Sequence, residues 1–488
     1  MANLFKKIFS RSAKTPKRLW RNFQAARQTR LEADWILSPL TTNEELRSDL
    51  RKLMMRSRDL AKNNSDYIKW LQMRETNIIG DAGIRLMMRV ENFDGKTDDT
   101  ANDLIEQHWD NWGKRRNKLC AYRRRSGWLD ILGLVDRTLA IDGECFVRKV
   151  YDPDSPYGFR LEVIDTLEID IDYNIAHYNG NQIVMGVELT LHGEVVAYHR
   201  KVVIENHSTK YHRIPVDEIY HLYKVTFPGQ LRGFPQGSGA ILDINMAQKY
   251  RETALAGARV AIAQMGFITS QGDSDEVDLE ANTSGNQRDQ TIGMEPGMMY
   301  RLNPGDGVSF FTPQQPVAAF PPFMKSIGRS ISQGLGVSYN NHAEDLDNVS
   351  FSSMRAGAIA ERDMWKLAQR FLIQNFIEPV FADWLRALLA SNLTPLPQSK
   401  YYKFLADRWQ ARRWDWVDPF KDAKANELKL DMQITSRRRI CGEIGLDFDD
   451  VVAELEQENK QLAQHGLTPV SFNEKLNEKT GADNDKNT

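Results

Sequence analysis

Residues 334–357, from Gly334 to Gly357, read GLGVSYNNHAEDLDNVSFSSMRAG, a polar run set between two stretches with helical spacing of apolar residues. Upstream lies Phe320 to Leu335; downstream, a longer stretch runs from Ser353 to about Ala390. Gly334 and Gly336 tolerate positive φ and so release the first helix. Ser350, Ser352 or Ser353 can accept from the backbone N–H groups that open the second. The run therefore reads as a loop suspended between two helices, with Asn340, Asn341, His342, Glu344, Asp345, Asp347 and Asn348 supplying its polarity.

The downstream helix carries an apolar stripe of Ile359, Trp365, Phe371, Leu372, Phe376, Val380, Phe381, Trp384, Leu385 and Leu388, and Pro379 removes a backbone donor in its middle, which predicts a kink. Before the junction, Ala240 to Met265 reads as an Ala-rich helix about 37 Å long, whose small residues allow close packing between subunits. Between the two, Ser270 to Gly293 is polar and acidic (Asp273, Asp275, Glu276, Asp278, Glu280), and strand-like Met298–Leu302 and Val308–Phe311 flank the turn 303–307. Toward the N-terminus, Thr41 to Gly80 and Trp128 to Ile141 show the helical period. From Gly143 the period becomes two, and strands are expected at 145–150, 159–164, 183–189, 195–199 and 219–223, forming a mostly antiparallel sheet. After Tyr401, helices are expected to include Asn426 to Met432 and Val451 to Gln464. The class is α+β.

Composition narrows the function. With 488 residues, 41% hydrophobic and 10% aromatic, the chain can bury a sizeable core in two or more subdomains. Lys+Arg 64 against Asp+Glu 66 leave a net charge of −2, so bulk charge does not bind nucleic acid and any DNA contact must be local. Cys120, Cys145 and Cys441 lie too far apart for a zinc cluster, and their odd number argues against a disulfide framework, which fits a reducing cytoplasm. No apolar run approaches the roughly 20 residues that span a bilayer, so a soluble protein is expected. Residues 1–30 hold nine Lys/Arg and no acid, interspersed with Leu4, Phe5, Ile8, Leu19, Trp20 and Phe23. Such a segment can lie on an anionic membrane, serve as a targeting peptide or grip phosphates; targeting fits worst, because no apolar core or cleavage site follows, and a solvated arm stands evenly against a phosphate-gripping one. A second basic cluster, Arg115, Arg116, Lys118 and Arg123 to Arg125, reads as a solvated face, a set of ion-pair partners or a subunit contact. Residues 473–488 have the composition of a disordered tail.

The junction resembles that of the lambda family of phage portal proteins, where a GVSY-type helix end precedes a polar loop and a YSS-x-R-type restart. Here Phe351 stands for the usual Tyr and Met354 for a smaller residue. The resemblance extends through Asp142-Gly143-Glu144, Arg232-Gly233-Phe234, Glu295 to Tyr300, Asn303-Pro304-Gly305, Phe320-Pro321-Pro322-Phe323 and Trp416 to Pro419, in order. It implies a phage portal fold: an arm at 1–40, a mixed α/β wing at 41–234, stem helices at 235–266 and 319–337, and a small α/β clip at 267–318. A tunnel loop at 338–352, a long kinked wing helix at 353–391, a helical C-terminal wing and crown at 392–472 and a tail at 473–488 complete it.

The function so implied is a homo-oligomeric ring, usually of twelve copies, at one vertex of the capsid. Double-stranded DNA would pass through it during packaging and ejection. Its implied partners are the large terminase subunit, the major capsid and scaffold proteins, and head-completion or tail connector proteins. Assembly would occur in the host bacterial cytoplasm, without a membrane. Under this reading Glu344, Asp345 and Asp347 repel the DNA backbone, and the acidic residues Asp273 to Glu280 offer a docking face. Lys325 and Arg329, on one face of the second stem helix, make transient phosphate contacts or pair with acids of a neighbouring subunit.

The competing reading is a metal-dependent nucleic-acid-processing enzyme with a basic N-terminal arm, using Asp165, Asp170 and Asp172 in a two-metal site. No His or Lys accompanies these carboxylates at useful spacing. The chain has no G-x-x-x-x-G-K-[ST] or G-x-S-x-G motif, and His207 and His212 are not at metal-ligand helical spacing. No catalytic residue, metal or cofactor is expected.

Overall fold

The backbone N–H of Thr41 donates to Glu44 Oε2 (2.7 Å), half of a capping box that starts helix α1 (Thr42–Asn63). Asn64 then caps α2 (Ser65–Arg74) by accepting from the Tyr67 N–H. The computed structural model describes residues 39–203, 209–262, 266–270, 306–310, 320–347, 349–414 and 419–465. The basic arm, the acidic residues Asp273 to Glu280, the strand-like 298–302, Asn348 and the tail 473–488 lie outside them. After a π-helical turn at Glu75–Ile79 come β1 (Arg85–Met88), α3 (Asp99–Gly113) and α4 (Trp128–Ile141).

The switch to period two produces β2 (Glu144–Tyr151), β3 (Phe159–Ile164), β4 (Ile175–Tyr178), β5 (Asn181–Val184), β6 (Val187–Leu189), β7 (Val195–Val203), β8 (Thr209–Pro215) and β9 (Ile219–Tyr223). They form two antiparallel sheets, ordered β3-β2-β9 and β4-β5-β6-β7-β8. The stretch 183–189, expected as one strand, is two: Met185 and Gly186 both take positive φ and turn the chain back. Phe146, Ile164, Val187, Tyr198 and Ile214 fill the space between the sheets.

Next follow α5 (Ile241–Ile262), β10 (Gly266–Ser270), β11 (Asp306–Phe310), α6 (Phe320–Leu335), α7 (Tyr339–Ala343) and α8 (Phe351–Leu372). The expected strand at 308–311 is found in β11, but its antiparallel partner is β10, which its short length hid in the sequence. Helices α5 and α6 pack through Ile244, Ala247, Ile331 and Leu335, and Tyr250 stacks on Phe320 (5.6 Å). With 22 residues α5 spans about 33 Å.

Pro379 sits in the first turn of α9 (Glu378–Ala390), directly after a π-helical turn at Ile373–Ile377. Where a kink was expected the helix changes its winding, which puts the missing N–H where it costs little. Around this point Phe376, Phe381 and Trp384 join Trp109, Trp112, Trp128 and Phe159 in the main core, with Trp109 and Trp384 4.9 Å apart edge to face. Ile359, assigned to the same apolar stripe, is instead exposed, as are Met364 and Leu367. The described residues close with α10 (Tyr401–Phe404), β12 (Asp407–Gln410), α11 (Pro419–Asp431), α12 (Arg437–Ile444) and α13 (Phe448–Gln464). Strand β12 pairs with β1, Arg85 opposite Gln410, and ties the C-terminal part to the N-terminal helices.

Candidate functional site

Helix α6 ends in a Schellman motif: Val337 N–H bonds Ser332 O (3.0 Å), Gly336 N–H bonds Gln333 O (3.1 Å), and Gly336 has φ +70°. Gly334, also expected to release the helix by positive φ, remains within it. Its missing side chain serves packing, because a Cβ there would meet Ala240 backbone and side chain at 3.0 Å. The polar run is not a continuous loop, since residues Tyr339–Ala343 wind into α7. Ser350 then caps α8, its Oγ accepting from the Ser353 N–H (3.2 Å).

Helix α7 is fastened on three sides. His342 is buried: its Nε2–H donates to the Asp66 carbonyl on α2 (2.8 Å), and Nδ1 lies 3.0 Å from Ser332 Oγ on α6. Asn341 donates to the Glu361 carboxylate on α8. Lys69 on α2 pairs with Glu344, and Lys325 Nζ on α6 pairs with Asp345 Oδ2 (2.6 Å), which also accepts from the Tyr339 hydroxyl (3.1 Å). Lys325 holds the Asp345 carboxyl below its ordinary value, and Asp345 raises the Lys325 ammonium in turn. Lys69 does the same for Glu344, whereas burial pushes Glu361 up.

Of the residues expected to face DNA, His342 is thus turned inward, and Glu344 and Asp345 have their charge met within the chain. Asp347 is exposed, its backbone N–H donating to Asp345 Oδ1 (3.2 Å). Asn340 is half-buried. The Arg329 guanidinium lies 5.6 Å from the Tyr339 ring centroid. Lys69 was missed in the sequence because nothing local links it to Glu344, 275 positions away.

A second arrangement secures the sheets to the root of α5. Arg232 and Glu144, both fully buried, pair at 2.7 Å. Glu144 also accepts from Gly233 N–H (2.9 Å) and lies 3.0 Å from His221 Nε2, while Arg232 donates to the Ile169 and Met185 carbonyls. Gly143 permits this closeness: its φ is +86°, and a Cβ would lie 1.9 Å from the Phe234 carbonyl carbon. The two short motifs around residues 143 and 233 are therefore one structure.

The carboxylates of the enzyme reading are held by fixed cations. Arg51 bonds both Asp170 (2.8 Å) and Asp172 (2.7 Å), Lys201 and Tyr211 add to Asp170, and Arg58 bridges Asp142 and Asp165. Asp165 and Asp170 are lowered despite partial burial, as these cations require. Among the described residues no group of three or more His, Cys, Asp or Glu is placed to hold a metal ion. No helix among them is long and apolar enough to cross a membrane.

Among solved structures, the neck of an empty gene transfer agent particle aligns with 82% of this chain and 93% of that one, at 14% identity and a TM-score of 0.42. Portal protein B of Escherichia phage lambda is 22% identical over 459 residues, 86% of this chain and 85% of that protein. A probable portal protein of Halomonas phage phiHAP-1 is 30% identical over 464 residues, 92% of this chain and 88% of that protein. The model of the family "phage portal protein, lambda family" matches residues 28–369, and the chain belongs to that family.

Proposed function

We propose that the protein forms the portal ring at one vertex of a phage capsid, through which double-stranded DNA enters during packaging and leaves during ejection. Membership of the lambda family carries this reading. The exposed Leu242 and Met246, one turn apart on α5, and Ile359, Met364 and Leu367 on α8 agree with it, since a ring gives each copy a neighbour to cover them. In this account α5 and α6 are the stem and residues 267–318 the clip. The α6–α8 junction borders the channel, and the C-terminal helices belong to the crown. Asp347 and Arg329 are then the junction's candidates for meeting DNA, while Lys325 acts on Asp345. The motor ATPase, the scaffold and the connector proteins are separate chains, with the acidic 273–280 segment as the docking face for the motor or a head-completion protein, and this chain performs no catalysis. Deleting the gene from the phage that carries it is expected to leave heads without DNA. DNA-filled heads from the deletion would overturn the proposal.

A further inference from the structure

Between α3 and α4 the sequence KRRNKLCAYRRR, Lys114 to Arg125, carries seven cations and no acid. Its backbone is held firmly. Leu161 N–H donates to Cys120 O (2.8 Å) and Tyr122 N–H to Leu161 O (2.9 Å), adding the loop to the flank of β3. Beneath it, Arg160, 3% exposed at its side chain, bonds Asp152 (2.7 Å) and donates to the carbonyls of Lys118 (2.8 Å), Leu119 (3.2 Å) and Ala121 (3.4 Å). Lys118 and Arg124 take positive φ without being glycine. The backbone is thus fixed from inside while the cationic side chains stand in water.

Three of the seven cations have ion-pair partners: Lys114 with Asp110, Arg115 with Asp130 (3.5 Å) and Arg124 with Asp152 (3.7 Å). Arg116, Lys118, Arg123 and Arg125 have none among the described residues. Lys114 to Arg116 follow the C-terminus of α3, where the helix dipole favours cations; Arg123 and Arg125 have no such explanation. Besides its basic residues the loop exposes only Tyr122. It lacks the apolar centre of a protein–protein interface. Unpaired arginines on a fixed backbone match a polyanion of closely spaced phosphates, which their planar forks bind in pairs.

We infer that the Lys114–Arg125 loop is a binding surface for the phosphate backbone of double-stranded DNA, separate from the stem and the α6–α8 junction. Its place in the fold supports the separation. Gln236 N–H bonds Ala140 O at the C-terminal end of α4, beside the root of α5, whereas the loop precedes the N-terminal end of α4, about 20 Å away along that helix. The choice of double-stranded DNA as the polyanion rests on the proposed function, while the surface itself is complete in one copy and needs no ring.

The test measures affinity of the full chain for a labelled duplex of about 20 base pairs between roughly 50 and 200 mM salt. The variant R116Q/K118Q/R123Q/R125Q is expected to bind at least tenfold more weakly at the lower salt, with the log–log salt slope reduced by about three to four. The control R47Q/R56Q/K62Q/K210Q, with the same loss of exposed charge, is expected to keep the original slope. An equal fall in both variants, or none in the first, would overturn the inference. Imaging separates the two proposals: a loop variant that still forms rings but loses affinity supports the surface, while one that loses rings and keeps affinity makes the loop a subunit contact and overturns it.

Discussion

Arg232 and Glu144 show most sharply what a single residue does here. Their guanidinium and carboxylate are both fully buried and fully bonded, so removing one leaves the other charged in an apolar interior. Arg232→Met is expected to destabilise the chain by about 3–5 kcal/mol in urea unfolding; a loss under about 1 kcal/mol would contradict the bonding described. Both motifs that meet here were legible as motifs. Their contact was not, because a pairing of residues 88 apart is set by the register of β2 against β9. Asp170 and Asp172 illustrate the converse: sequence alone does not say what meets such carboxylates, and Arg51, on another element, pairs with both.

Among elements, α4 and α6 were legible to their ends and α1, α5 and α13 nearly so, since periodicity and capping are local, whereas α3 and α12 were not located and α11 was located only over its last turns. Also missed were α7, strands β4 and β8, the β5–β6 turn, and the β1–β12 and β10–β11 ladders, most of them short or dependent on distant pairing. The fastening of α7 makes a pH prediction. Glu344 and Asp345 have folded pKa values below their ordinary ones, so their pairing stabilises α7 fully above the usual carboxylate range near about 4 and is lost as pH falls through the lowered values. Hydrogen-exchange protection factors for Tyr339–Ala343 are expected to drop in acid, and Lys325→Gln is expected to lower them at neutral pH. Protection that responds to neither change would refute the fastening.

At the scale of the whole molecule, the single chain leaves apolar surface on α5 and α8 that its own core does not use. The sequence marked α5 as a helix for subunit packing but placed Ile359 in the core stripe, because periodicity reports which face is apolar and not whose atoms cover it. The family match implies a ring, and a neighbouring copy is what these faces lack. The most direct measurement is negative-stain microscopy of the purified chain together with its native mass. Closed rings with an axial hole and a mass that is an integral multiple of 56.0 kDa are expected. Particles that stay monomeric with scaffold protein present, or oligomers without an axial opening, would contradict the portal reading.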